Sequence, residues 1–477
     1  MSNKKFDTRV QELKYEVLKQ LVQAYDKGDM SQVYIDIPKS ISPGPKPSFR
    51  CCIYKERAIV QERIKLALGG DKSNPNIVEV IESACDSCPI SGMYITPACR
   101  GCIVHRCQEA CPKDAITIVN NKPVIDMAKC IKCGRCAKAC PYDAIIEQSR
   151  PCIKSCKVKA LSMDEFDRAK IDNDKCIACG ACVYNCPFGA IVDKSFLFDT
   201  LDMLKEAKEN GGRVFAIIAP AIASQFKPAT FGQLVTGIKT LGFDRVYEAA
   251  LGADITLYKE AQEFEEKKLM TTSCCPSFVM FIEKNFPELV KYISSSPSPM
   301  VETAMLLKRK YPDIKTVFIG PCTSKKLEYR MEKTGGAIDC VISFEELQAL
   351  LDARDVDLLV QEEMNIDDAS DMGRVFAKCG GISADISKLV EGVEPVAMSG
   401  IEECRANLLK LKFNKTTANF FEGMACDGGC LNGALSLHHD IKNVAEIDKY
   451  SSSATHKGID SAVEMYHSSL NKDNADK

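Results

Sequence analysis

Cys176-Ile177-Ala178-Cys179-Gly180-Ala181-Cys182-Val183-Tyr184-Asn185-Cys186-Pro187 spaces three thiols two residues apart and sets a fourth directly before a proline. Three close thiolates of this kind wrap one cubane iron–sulfur cluster, and the fourth crosses to a neighbouring cluster. The run recurs at Cys130, Cys133, Cys136 and Cys140-Pro141, and, stretched by two residues, at Cys99, Cys102, Cys107 and Cys111-Pro112. Each closes on a similar phrase: Pro112-Lys113-Asp114-Ala115-Ile116, Pro141-Tyr142-Asp143-Ala144-Ile145, Pro187-Phe188-Gly189-Ala190-Ile191. Three such repeats exclude chance spacing and predict small α+β cluster-binding modules.

The crossing rule assigns ligands across the repeats. Cys99, Cys102 and Cys107 with Cys140 make one cluster; Cys130, Cys133 and Cys136 with Cys111 make a second. Arg150-Pro151-Cys152-x3-Cys156 reads as the second half of a degraded run, so Cys176, Cys179 and Cys182 take Cys156 for a third. Cys152 and Cys186 remain, and Cys85-x2-Cys88 upstream supplies the two thiols that a fourth cluster needs. A structural zinc at Cys85 and Cys88 is the competing reading. His105, inside the stretched run, reads as a solvent-facing or hydrogen-bonding side chain rather than a ligand.

The chain has 26 cysteines in 477 residues, and 16 of them fall between Cys85 and Cys186. The N-terminus, Met1-Ser2-Asn3-Lys4-Lys5-Phe6-Asp7, has no apolar signal region, so metal ligation is the better reading of the cysteines than a disulfide framework. A net charge of -3 gives no basic excess for nucleic acid. No apolar run approaches the ~18 residues of a membrane span, and a cytoplasmic protein is expected. The fall in cysteine density after Cys186 marks a boundary. The expected organisation is a small helical segment at 1–80, two tandem dicluster modules at 81–195, an α/β catalytic domain at 196–450, and a tail at 451–477 with no assigned function.

Before the modules, Val10, Leu13, Val17, Leu18, Leu21 and Val22 recur at helical steps, and a second helix is expected from Tyr54 to Leu68. Between them lies a Pro-rich connection, Ile37 to Pro47, and Cys51 and Cys52, read as thiols without a metal. After Val192, strands and helices alternate. Val214–Ala219 is a buried strand ending at Pro220; Thr316–Gly320 is another, with Cys322 on the loop at its C-terminal end, where α/β folds place chemistry.

Three loops of this second half carry the remaining pattern. They are Thr272-Ser273-Cys274-Cys275-Pro276, Pro321-Cys322-Thr323-Ser324-Lys325-Lys326-Leu327-Glu328 and Glu422-Gly423-Met424-Ala425-Cys426-Asp427-Gly428-Gly429-Cys430. Cys275, Cys322, Cys426 and Cys430 suffice for one more cubane. Adjacent side chains point in different directions, which leaves Cys274 beside that cluster rather than on it.

These three motifs, in this order behind a ferredoxin-like region, resemble the signatures of the [FeFe]-hydrogenases, in a less-studied branch of the clostridial, ferredoxin-linked type. The resemblance covers about residues 85–445. It implies a two-lobed α/β domain holding an H-cluster, a [4Fe–4S] cubane joined through a cysteine sulfur to a di-iron centre with carbonyl, cyanide and azadithiolate ligands. Cys275, Cys322 and Cys426 would hold the cubane and Cys430 would bridge to the di-iron centre. Cys274 would hand protons to the azadithiolate, Lys325 would donate to a cyanide, Met424 would pack on the di-iron site, and Pro220 would line its pocket. The family's proton path maps onto Cys274, Glu328, Ser298, Glu263 and Glu260. Also implied are reversible formation of H2 from protons, a ferredoxin or similar low-potential electron carrier, and separate maturation enzymes; a further partner protein is left open.

The sequence departs from the family at Phe278, where tryptophan is common, and at Gly320, where the best-known branch has methionine. The segment Leu431-Asn432-Gly433-Ala434 lacks the usual glycine-rich ending. None of these removes a ligand. The rival readings are an iron–sulfur assembly factor without the di-iron unit, an H2 sensor, and a plain electron-transfer protein.

Overall fold

The apolar runs after Val192 form two parallel sheets. In the first, the strand order is Arg245–Glu248, Arg213–Ile218, Ile314–Gly320, Cys340–Ser343. In the second, Phe420–Met424 lies between Met270–Thr271 and Pro395–Ser399. Val214 to Ile218 are all buried, the unbroken burial of a strand covered on both faces. The strands Arg213–Ile218, Met270–Thr271, Ile314–Gly320 and Phe420–Met424 release, at their C-terminal ends, the loops bearing Pro220, Cys274, Cys322 and Cys426. These four loops meet. The computed structural model describes residues 5–86 and 88–475.

The cysteine-rich region is built from short antiparallel pairs. Gly92–Ile95 pairs with Ile145–Gln148, Ile116–Val119 with Lys122–Ile125, and Leu161–Met163 with Ala169–Ile171. Val78–Val80 pairs with Ile191–Asp193, so the module that opens at Cys85 is closed by the strand following Pro187.

The N-terminal segment comprises helices Arg9–Asp26, Val33–Ile41 and Ile53–Ala67. The Pro-rich stretch is therefore partly helical, with Pro38 inside Val33–Ile41. Proline leaves the carbonyl four residues back without a helical donor; here the Gln61 amide donates to Tyr34 O at 2.9 Å and restores the bond. Helix Arg9–Asp26 begins with a capping box between Thr8 and Gln11 and buries Leu13, Val17 and Leu18 in the core of the first sheet. Gln11 Nε2 also donates to Ser436 O at 2.9 Å, just beyond the third loop. Helix Asp460–Ala475 packs Ala462 against Ala250, Leu251 and Leu306. No helix among the described residues is long and apolar enough to cross a membrane.

Candidate active site

The four loop ends bring Cys275, Cys322, Cys426 and Cys430 into one buried neighbourhood. Burial raises the pKa of Cys426 first, and the thiolates of Cys322, Cys275 and Cys430 raise it further. Cys430 is pushed up in the same way, by burial and then by Cys322 and Cys275. Such thiols ionise only against a strong counter-charge, which a cluster of ferric and ferrous ions supplies. Among the described residues no three His, Cys, Asp or Glu side chains close around a single ion. A cubane takes one ligand per iron corner, so its thiols stand apart where those of a single-ion site converge. The donor chemistry fits a cubane.

Beside these thiols lies a cavity of about 90 Å³ whose lining includes Pro220, Cys274, Phe318, Lys325, Met424 and Cys430. Its walls are apolar apart from the thiols of Cys274, Cys275, Cys322 and Cys430 and the Lys325 ammonium. Lys325 Nζ donates to Cys274 O at 3.1 Å and to Glu328 Oε2 at 2.7 Å. An ammonium has three N–H donors, so one remains for an anionic group in the cavity. The side chain absent at Gly320 has its space filled: a Cβ there would lie 2.5 Å from Phe318 Cε1. Phe318 thus forms the wall that methionine was expected to provide in the related branch.

The residues expected to carry protons divide into two groups. Ser273 N donates to Glu260 Oε1 at 3.3 Å, which seats that carboxyl beside Cys274. Burial pushes Glu260 up to about 8, against the pull of the Ser273 amide and the Ser294 hydroxyl. Ser294 Oγ donates to Glu263 Oε2 at 2.9 Å, and Lys267 pairs with Glu263 at 2.6 Å. Burial raises Glu263, but Lys267, the Ser295 amide and Ser294 outweigh it and hold it below the ordinary range. Two carboxyls three residues apart on helix Ala249–Lys267 are thereby driven to opposite protonation states. Burial, then Glu260, pushes Cys274 well above the usual thiol range.

Ser298 meets Glu328, its expected neighbour in the path, and has no hydrogen bond to either helix glutamate among the described residues. Its hydroxyl donates to Glu328 Oε2 at 3.1 Å, on the Lys325 side. The hydroxyl between Glu260 and Glu263 is Ser294, which sequence reasoning missed. Its position is set by the Ser294 amide, which donates to Thr271 O at 2.8 Å, at the bridge joining Thr271 to Ile293.

The accessory thiols also gather as sets. Cys111, Cys130, Cys133 and Cys136 line one small cavity. Cys107 is raised by burial, with Cys102 and Cys140 adding to it; Cys99 completes that run. Burial pushes Cys179 up to about 12, with Cys176, Cys156 and Cys275 adding to it, and Cys182 rises in the same company. Burial pushes Cys152 up to about 11, and Cys186, Cys85 and Cys88 add to it. That last set places Cys85 and Cys88 with Cys152 and Cys186, the four thiols that a fourth cluster needs. His105 is half-buried and its Nε2 has no hydrogen-bond partner; it takes the left-handed position (φ 45°) that Gly134 and Gly180 hold in the other two runs.

The third run is stapled to the catalytic loops. Ser277 Oγ donates to Ile177 O at 2.8 Å and Thr323 Oγ1 to Ala178 O at 2.5 Å. Gly180, at φ 73°, permits this approach: a Cβ there would lie 2.6 Å from both Ala434 Cβ and Thr323 Oγ1. Cys179 consequently neighbours both Cys275 and Cys426.

Residues 212–434 match the family model for the C-terminal domain of the iron-only hydrogenase large subunit, and residues 123–146 and 169–192 match 4Fe-4S binding domains. The chain is 30% identical over 271 residues to iron hydrogenase 1 of Clostridium pasteurianum, covering 46% of this chain and 47% of that protein. It is 33% identical over 139 residues to a cytosolic Fe-S cluster assembly factor of Yarrowia lipolytica, 25% of this chain and 28% of that one. A solved [FeFe]-hydrogenase of Chlamydomonas reinhardtii aligns with a TM-score of 0.47 at 20% identity, over 56% of this chain and 93% of that one. The chain spans less than half the length of these two curated relatives.

Proposed function

We propose that this [FeFe]-hydrogenase-like chain catalyses the reversible reduction of protons to H2, 2H⁺ + 2e⁻ ⇌ H2. One observation carries the reading. Four thiols lie together at the loop ends, and a fifth, Cys274, faces the adjoining cavity with a carboxyl behind it that burial keeps protonated at neutral pH. An electron-transfer module has no use for that fifth thiol or for a proton donor behind it.

When bound, an H-cluster supplies the metal chemistry that joins two protons with two electrons. Cys275, Cys322 and Cys426 would hold its cubane and Cys430 would bridge to its di-iron unit. Lys325 offers its remaining N–H to an anionic ligand, and Pro220, Phe318 and Met424 keep water from the cavity. Protons move inward from the Lys267–Glu263 pair through Ser294 to Glu260 and on to Cys274. Glu263 is charged and collects protons; Glu260 is neutral and passes them on. Cys274 holds its proton until a stronger base stands against it.

Electrons would cross four accessory clusters and reach the cubane from Cys179, which neighbours Cys275 and Cys426. A ferredoxin or similar low-potential carrier in the cytoplasm fits such a wire, and maturation enzymes would install the di-iron unit. The match to the assembly factor supports a second reading, a scaffold with cubanes alone. Lys325, with its unspent donor in the cavity wall, favours the enzyme.

The test is viologen-driven H2 evolution by protein produced anaerobically with the maturation enzymes. Sustained evolution supports the enzyme. Silence in protein whose infrared spectrum shows bound carbonyl and cyanide moves the reading to a sensor; silence with cubanes alone moves it to the scaffold.

A further inference from the structure

Two arginines near the fourth thiol set are buried without a carboxylate in ion-pair contact. Arg63, on helix Ile53–Ala67, is 4% exposed, and Arg150 is 2% exposed. Arg63 Nη2 donates to Gly189 O at 2.7 Å, and its Nε is buried with no hydrogen-bond partner. Arg150 donates to Pro89 O at 3.2 Å and to Asp167 O. Among the described residues neither guanidinium forms an ion pair with a carboxylate. Arg50, partly buried, donates to Ala84 O and lies 4.9 Å over the Phe188 ring. Ala84, Pro89 and Gly189 stand within three residues of Cys85, Cys88 and Cys186. Cys186 is the thiolate that acts most on Arg63, and Arg150 and Arg50 act on Cys88.

We propose that Arg63 and Arg150 raise the reduction potential of the cluster held by Cys85, Cys88, Cys152 and Cys186 above those of the other accessory clusters, making it the electron store of the chain. The proposal rests on the four-cluster reading. A buried cation without an ion-paired counter-charge is costly; Glu345 acts on Arg63 less than Cys186 does, and the orphaned Nε leaves part of that cost unmet by protein. An anionic thiolate-bound cluster meets it. Reduction adds one electron, with no bond or proton changing hands, so the site gains one negative charge. Buried guanidinium groups stabilise that form more than the oxidised one, and net charge and local hydrogen bonding set the potentials of such clusters.

The cations of the first two runs cannot do the same. Arg100, Arg106, Lys132 and Arg135 are all exposed, where solvent and salt screen them. The fourth set also adjoins the third, since Cys152 contributes to the rise at Cys182. An electron held there is one transfer from the cluster beside the active site. H2 formation consumes two electrons, whereas a one-electron carrier delivers them singly. A store at this point lets the second electron follow the first without a second docking event.

The experiment is a redox titration of the full chain, made without the maturation enzymes, with each cluster followed by electron paramagnetic resonance. In the parent chain one cluster is expected to reduce at a potential above the rest. Arg63→Met is expected to lower that potential by at least the equivalent of a tenfold change in the reduction equilibrium, about 59 mV for one electron, and Arg63→Lys to retain most of it. Arg150→Met is expected to act in the same direction and carries the test if Arg63→Met does not fold. Four clusters by iron and sulfide content, with midpoints unmoved in the folded variants, would overturn the proposal alone. Iron content unchanged in Cys152→Ser would overturn the four-cluster reading beneath it.

Discussion

Replacing Glu260 with glutamine tests the proton path where its electrostatics are most perturbed. Glu260 is fully buried, its Oε2 has no hydrogen-bond partner, and burial lifts its pKa from 4.5 to about 8. At pH 7 roughly nine-tenths of the chains then hold a proton there, and at pH 9 about one-tenth. A folded-state pKa above the unfolded one means that the native chain binds the extra proton between the two values. Its stability contribution is complete below pH 4.5 and is lost as pH rises through about 8. At 1.36 kcal/mol per unit, the loss over that window is on the order of 5 kcal/mol. Glu260→Gln keeps the shape and removes the titration. Relative to the parent, the variant should gain stability steadily from pH 5 to pH 8 in denaturant titrations. Its H2 evolution at pH 7 should fall by on the order of 10²-fold or more, the usual worth of a positioned proton donor. The parent's alkaline limb near pH 8 should vanish from the residual activity. A parent and variant with parallel stability curves over this range would refute the buried, protonated Glu260. Parallel activity profiles would refute its place in the path.

Four further substitutions separate parts of the account. Ser294→Ala should slow H2 evolution on the order of 10²-fold, while Ser298→Ala, which disturbs only the Glu328 contact, should stay within about threefold; equal effects would return the path to Ser298. Lys326 is fully buried and pairs with Asp193 and Glu346 at 2.8 Å each. Lys326→Met leaves the buried Glu346 without a cation and Asp193 with Lys14 alone, and should cost about 3–5 kcal/mol in chemical denaturation; a loss below about 1 kcal/mol would show that the ion cluster is solvated. Cys179→Ser should remove one cluster's worth of iron and slow reduction of the active site by a carrier protein, while carbonyl and cyanide infrared bands persist. Unimpaired reduction would show that electrons reach the site by another route.

The ligand runs were legible because cubane geometry fixes their spacing, and proline marks the crossing thiol. The Cys322 loop was legible because it follows a buried strand, Ile314–Gly320, and the other two by their thiols and the family resemblance. Ser294 was not. It lies in Ser294-Ser295-Ser296-Pro297-Ser298, where no periodicity distinguishes one hydroxyl from another. Only the pairing of Ile293 with Thr271 decides which one faces the glutamates. The place of the N-terminal segment was hidden for a different reason. Lys14 reaches Asp193 at 2.5 Å and Glu345 at 2.6 Å, across separations that local patterns do not encode. Its helix also supplies core to the first sheet, so the segment outside the family resemblance is part of the catalytic half. Pro38 marked a break by composition, and Gln61 supplied the donor that kept the helix intact.

The most direct measurement compares H2 evolution by the matured chain and by Cys274→Ala at equal di-iron content, established from infrared band intensity. The account predicts sustained evolution by the parent and a fall of at least on the order of 10²-fold in the variant, with the carbonyl and cyanide bands retained. Equal rates in the two proteins would contradict a proton path through Cys274.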